Sequence, residues 1–281
     1  MACPNNVAAG GMNQSIESSE SSQISPPNRL EAQWPIEGLA HGFLGRLGGV
    51  SRGPFATLNL SYLVGDETAS VDRNWQIARE SIPAGALIAK LNQVHGAEVR
   101  CVSGADCGAR PDGDGLVTAS PGIVLTILTA DCVPLLMVDA KHRVAAALHA
   151  GWRGTLACIA AAGVDAMVSL GASPAGIRAA LGPSIGPCCF EVDAALAERF
   201  DALVESAAQH VHAGRAGKAF VDLRGVLRGQ LVRCGLDADA IASVGPCTRC
   251  AGDRYFSRRA SGGNLTGLQL SYIGFCPGSG S

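Results

Sequence analysis

The sequence predicts an α/β fold in which mixed β-sheets are covered by helices. Three segments, Ile123–Thr129, 133–138 and 143–149, are apolar along almost their whole length, which marks strands buried on both faces rather than strands with one wet side. Stretches with apolar residues at i, i+3 and i+4 lie after them, and that spacing lines one face of a helix. A chain of 281 residues is long enough to bury a sizeable core of this kind.

In chain order, residues 1–30 are rich in Ser, Asn, Gln and Pro and lack an apolar block or a basic start. That composition predicts a disordered lead-in, neither signal nor transit peptide, before a single domain over 31–281. Ser70 is placed to cap a helix running through Glu80, and strands at 87–91 and 98–102 flank His95. The apolar stretch from Pro121 to Ala140 has the length of a membrane span, but Asp131 and Pro134 sit in its middle and β-branched residues crowd its first half. Two buried strands broken at Ala130-Asp131-Cys132 fit better. After a turn at Ala140-Lys141-His142 and the strand at 143–149, Leu156, Ile159, Ala160, Gly163, Val164, Met167 and Val168 recur at helical spacing, with Gly171 in the position of a C-terminal cap. Ile177–Leu181 reads as a short strand entering Gly182-Pro183-Ser184-Ile185-Gly186-Pro187. Amphipathic helices follow at 193–208 and 222–235, each with an Asp in the capping position.

Charge narrows the function. With 22 basic against 24 acidic residues, a formal charge of -2 and no Lys/Arg run, the chain lacks the electrostatics to grip nucleic acid or an anionic membrane. Small-molecule chemistry is favoured. The 11 cysteines are odd in number and irregularly spaced, which reads as reduced thiols of a cytoplasmic protein rather than a disulfide framework.

Three fragments carry the chemistry: Gln93-Val94-His95-Gly96, Ala130-Asp131-Cys132-Val133-Pro134 and His149-Ala150-Gly151-Trp152-Arg153-Gly154. Each places a metal-capable or nucleophilic side chain at the end of an apolar segment beside Gly or Pro, where a strand hands over to a loop. One thiol and two imidazoles suit a zinc ion with an open coordination position, and equally a Cys/His nucleophilic pair. The spacing matches no compact zinc-finger pattern. His142, His210 and His212 read as ordinary structural histidines, whereas Asp131 reads as a carboxylate that could orient a ligand His. Cys247-Thr248-Arg249-Cys250, a candidate redox or zinc half-site, has no second CxxC and reads as structural or incidental thiols, and Cys188-Cys189 is not a disulfide candidate. The Gly182 to Pro187 loop could cradle an anion with its amides, Trp152 could stack on a heterocycle, and Arg153 could clamp phosphate.

At these residues the sequence resembles the YfiH/YlmD-type family, the laccase-domain or multicopper polyphenol oxidase family, also described as purine nucleoside phosphorylases. The resemblance runs from His41-Gly42-Phe43, Gly48-Gly49-Val50-Ser51, Leu58-Asn59-Leu60 and Gly65-Asp66 through LNQVHGAEV, DGLVT, TADCVPLLMVD, HAGWRGT and GPSIGPCCFEV to Tyr255-Phe256-Ser257-Arg258-Arg259. It implies a four-layer α/β/β/α sandwich with mixed sheets and a zinc ion held by His95, Cys132 and His149. It further implies phosphorolysis of adenosine, inosine and methylthioadenosine, together with deamination of adenosine. On that reading Arg153, Ser184 and Gly186 are the candidates for phosphate and substrate, Trp152 for the purine, and the partners are purine nucleosides and phosphate, with no nucleic acid or membrane, in a monomer or homodimer. Copper fits less well, because a multinuclear copper oxidase needs more imidazoles than the six present.

The chain departs from the family pattern at Leu268 and Trp75, where the family carries arginine, and at Phe190, where a Tyr hydroxyl is missing. These departures bear on phosphorolysis more than on metal binding. The rival reading is a metal-free cysteine hydrolase or amidase, with Cys132 as nucleophile and His149 or His95 as base.

Overall fold

The computed structural model describes residues 28–201, 203 and 209–278. The long apolar segments form β6 (Ile123–Thr129), β7 (Val133–Asp139) and β8 (Val144–Ala150), with every residue of β7 and β8 buried. Their side chains alternate between two interiors. From β7, Val133, Leu135 and Met137 pack with α3 (Ile159–Ser169) and α5 (Leu223–Arg233), whereas Leu136 and Val138 pack against residues of β6 and of β14 (Gln269–Phe275). A strand read as apolar throughout is therefore one whose two faces serve two different cores.

Two large sheets result. One has the order β1-β2-β14-β6-β3, with β1 at Arg29–Leu30, β2 at Leu39–Leu44 and β3 at Leu87–Ala89. The other has the order β13-β9-β7-β8-β5-β4, with β4 at Val99–Cys101, β5 at Gly115–Thr118, β9 at Ile177–Leu181 and β13 at Ile241–Ser243. Both mix parallel and antiparallel pairs, β3 with β6 and β13 with β9 being parallel. The sheets face each other through Leu125, Ile127, Leu136, Ala147 and Ile273. Helix α1 (Thr68–Arg79) covers the outer face of the first through Val71, Trp75 and Ile77 against Val124, Leu270 and Tyr272. Helices α3 and α5 cover the outer face of the second, giving the expected α/β/β/α layering. A small sheet of β10 (Glu191–Asp193), β12 (Lys218–Val221) and β11 (Val211–Ala213) lies beside α4 (Ala194–Asp201).

Several boundaries differ from the sequence expectation. Residues 1–27 of the lead-in lie outside the described residues, but Arg29 and Leu30, placed inside it, pair with Leu44 and Phe43 of β2. Helix α1 starts two residues before Ser70, after Glu67, so Ser70 is interior and caps nothing. Asp193 ends β10 and stands directly before α4, in the expected capping position, whereas Asp222 precedes α5 without a side-chain cap bond. Of the helix expected at 193–208, the part after Asp201 lies largely outside the described residues. The helix expected from Leu156 is two: α2 (Trp152–Leu156) and α3, separated by Cys158 in the left-handed region at φ 58°. Among the described residues no helix is long and apolar enough to cross a membrane.

Candidate active site

The turn Ala130-Asp131-Cys132 leads from β6 in one sheet to β7 in the other, so Cys132 sits at the seam between the two. His149 is brought beside it by register: Pro134 opposes His149 and Val133 opposes Ala150 in the antiparallel β7–β8 pair. His95 arrives from the loop joining β3 and β4. The ligand-capable atoms of His95, Cys132 and His149 all lie within 4.8 Å of one another, and the two imidazoles meet edge-on with ring centroids 4.8 Å apart. His149 is buried, Cys132 half-buried and His95 exposed, so one side of the cluster is open to solvent.

Asp114 organises this cluster. One carboxylate oxygen accepts a hydrogen bond from His149 Nδ1 at 2.7 Å and another from the His95 amide at 2.9 Å. The second oxygen accepts from the amides of Gly96 and Val94. A single fully buried carboxylate thus fixes the ring of one imidazole and the backbone that carries the other, leaving His149 Nε2 for an ion. Sequence reasoning assigned this duty to Asp131, and the structure corrects it. Asp131 instead accepts from Thr248 Oγ1 and from the Arg259 amide, both at 2.6 Å, and so ties the β6–β7 turn to the chain before β14. Its neighbour in sequence made Asp131 conspicuous, whereas Asp114 is remote in sequence from both imidazoles. The available signal was Asp114-Gly115-Leu116-Val117-Thr118, one of the motifs quoted above.

Two glycines make room. A Cβ on Gly151 would stand 3.0 Å from Cys132 Sγ and 3.4 Å from His95 Cδ2. One on Gly154 would stand 2.7 Å from the Gly96 carbonyl oxygen, so the glycine lets α2 lie against the His95 loop. His95 and Asp131 both hold positive φ, 61° and 88°, a conformation that non-glycine residues adopt at some cost and that gathers at functional sites.

The electrostatics favour a thiolate. Burial pushes the Cys132 thiol up, but the charge and hydrogen bond of His149, with help from His95, more than offset it and hold the thiol at about 6. Burial pushes His149 down, yet the Cys132 thiolate and Asp114 raise it to about 9. Asp114 feels the same opposition: burial raises it, and the bonds from His149, Gly96 and His95 bring it below the usual carboxylate range.

The cluster lies between two cavities. One, about 660 Å³, is bounded by His95, Thr129, Cys132, Arg110, Arg258 and Leu268. The other, about 540 Å³, is bounded by Cys132, Trp152, Phe190, Leu223, Arg258 and Arg259. Arg258 belongs to both. Trp152 lines the second, while the Arg153 guanidinium lies over the Trp152 ring at 4.5 Å and borders neither. Ser184 and Gly186 also border neither. Ser184 is fully buried with an unpartnered hydroxyl, and Gly186 lies against Cys188 and Cys247. Leu268 adds an apolar side chain to the wall of the first cavity, and Trp75 is a core residue whose indole donates to the Leu60 carbonyl. Elsewhere, His41 bonds the Ala32 carbonyl and His142 pairs with Asp139, as structural histidines do.

A two-sheet α/β sandwich with a Cys-His-His cluster at its seam defines the class. The chain belongs to the family described as multi-copper polyphenol oxidoreductase laccase, whose pattern matches residues 40–276. It is 40% identical to a purine nucleoside phosphorylase of Streptomyces coelicolor over 85% of this chain and 96% of that protein. An adenosine deaminase from an unknown prokaryotic organism is 42% identical over 55% of this chain and 61% of its own length. The crystal structure of YlmD from Geobacillus stearothermophilus superposes with a TM-score of 0.82 at 31% identity, covering 89% of this chain and all of that one.

Proposed function

We propose that the protein is a zinc-dependent purine nucleoside enzyme that phosphorolyses adenosine, inosine and methylthioadenosine and deaminates adenosine. The observation that carries this reading is the His95-Cys132-His149 cluster between two cavities, in a chain similar to proteins named for both activities. The donor set fits zinc: one sulfur and two imidazole nitrogens, a thiol already poised as thiolate, and a carboxylate fixing one ring. Two imidazoles meeting one thiol do not supply the donors of a multinuclear copper centre. When bound, zinc would supply Lewis acidity and a lowered pKa for a coordinated water.

The chain's own residues do the rest. Phosphorolysis needs phosphate held beside the ribose and a nucleoside placed for in-line attack at C1′. Arg258 borders both cavities and can hold an anion at their junction, a better position than that of Arg153. The Thr129 hydroxyl, buried without a partner beside the larger cavity, offers a donor and an acceptor to a nucleoside. Trp152 offers the smaller cavity an aromatic face.

The second reading, a cysteine hydrolase, has its own support in the Cys132–His149–Asp114 chain, whose thiolate and imidazolium resemble an activated nucleophile. Chromatography of adenosine incubated with zinc-loaded protein separates the two. We expect adenine only when phosphate is present, and inosine with ammonia without it. Absence of adenine, hypoxanthine and inosine would remove the purine reading.

A further inference from the structure

The second thiol cluster of this chain is built by the fold from two fragments that look unrelated in sequence. Strands β9 and β13 are parallel neighbours, so the loops that follow them leave the sheet at the same end. An isolated bridge between Ser184 and Cys247, with the Thr248 amide donating to the Ser184 carbonyl at 3.0 Å, carries their pairing into those loops. Cys188 and Cys189 are thereby laid against Cys247 and Cys250.

The four sulfurs lie within 4.8 Å of one another, with Cys188 to Cys250 at 3.6 Å and Cys189 to Cys250 at 3.4 Å. A tetrahedral zinc with Zn–S bonds near 2.3 Å requires sulfurs about 3.8 Å apart. A disulfide requires about 2.05 Å, and all four are free thiols. Gly186 lies against this cluster, and a Cβ there would stand 3.3 Å from Cys247 Cβ and 3.5 Å from Cys188 Sγ. Four thiolates around a divalent ion leave a net charge of about −2. Arg259 is at hand to offset it, its guanidinium donating to the Cys189 and Glu191 carbonyls.

We propose that Cys188, Cys189, Cys247 and Cys250 bind a second zinc ion, a structural one. Four sulfur ligands leave no position open for substrate, which separates this site from the cluster at Cys132. Its role is to clamp the loop after β9 to the loop after β13. The second of these loops carries Thr248, which holds Asp131 beside Cys132, and the first leads to Phe190 in the wall of the smaller cavity. The ion would thus hold one side of the active site in place without touching the reaction. The proposal stands independently of the substrate.

Elemental analysis of the full chain, purified under reductant, tests it with single and combined variants. Two zinc ions per chain are expected, falling to one in Cys132→Ala, to one in Cys247→Ser/Cys250→Ser, and to none when these changes are combined. Should the double serine variant fail to fold, cobalt titration of Cys132→Ala decides. One equivalent giving intense thiolate-to-cobalt charge transfer and tetrahedral d–d bands supports the site. A Cys132→Ala protein that holds no zinc and gives no such bands overturns it, as does mass spectrometry showing a disulfide between the two cysteine pairs in reductant-purified protein.

Discussion

Asp114 touches both imidazole-bearing segments, and a change there should act on the ion and on the thiol together. Asp114→Asn keeps the shape but loses the charge that supports His149, so zinc affinity at the Cys132 cluster should fall about 10- to 100-fold, measured by competition with a chromogenic chelator. In zinc-stripped protein the thiolate of Cys132 exists above about pH 6, against an ordinary value of 9.0. Because the folded-state value is depressed, the thiolate is lost only as pH falls through about 6. Carbamidomethylation of the Cys132 peptide by iodoacetamide, followed by mass spectrometry, should therefore rise through that pH, and in Asp114→Asn the rise should move upward. A rise near pH 9 in the unaltered chain would show that the imidazoles do not support the thiolate. For the arginines, Arg258→Ala should raise the KM for phosphate about 10-fold or more, as expected for loss of a charge-assisted hydrogen bond. Arg153→Ala should change it little, and adenosine deamination, which uses no phosphate, should survive both.

At the scale of elements, α2 is short and is held in place by its contact with the His95 loop. Gly154→Ala would drive a methyl group into the Gly96 carbonyl oxygen, 2.7 Å from the new Cβ. Relief requires the helix or the loop to move, so we expect about 1–3 kcal/mol of destabilisation in denaturant melts together with weaker zinc retention. The elements themselves were legible where hydrophobic pattern dominates. β6 and β9 run over the residues the apolar runs indicated, and β7 and β8 differ by a residue or two at their ends. Capping residues misled. Ser70 and Asp222 sit at sequence positions where a cap is plausible, but Ser70 lies inside α1, which starts at Thr68, and Asp222 makes no cap bond. Local preference is worth about 1 kcal/mol and yields to a strand pairing or a buried helix face.

For the whole molecule, the first sheet begins earlier than composition suggested. Arg29 pairs with Glu31 and reaches the Tyr272 hydroxyl, and Leu30 packs beside the intersheet core. A chain beginning at Asn28 should keep the melting temperature of the full chain, and one beginning at Glu31 should melt several degrees lower, because the edge strand β1 is gone. Equal melting temperatures for the two would show that β1 contributes nothing to stability.

The sequence by itself determined the buried strands, the covering helices and the three residue types of the Cys132 cluster. Apolar continuity and glycine-flanked His and Cys are local properties, readable without knowing what lies opposite. Only the tertiary structure decided which carboxylate serves the histidines, which arginine faces both cavities, and that Cys188-Cys189 and Cys247-Thr248-Arg249-Cys250 are halves of one cluster. The carboxylate and the thiol cluster depend on pairing between strands far apart in the chain: β5 beside β8 for Asp114 and His149, β9 beside β13 for the thiols. A spacing rule sees one segment at a time, and these sites form only where two segments are laid side by side.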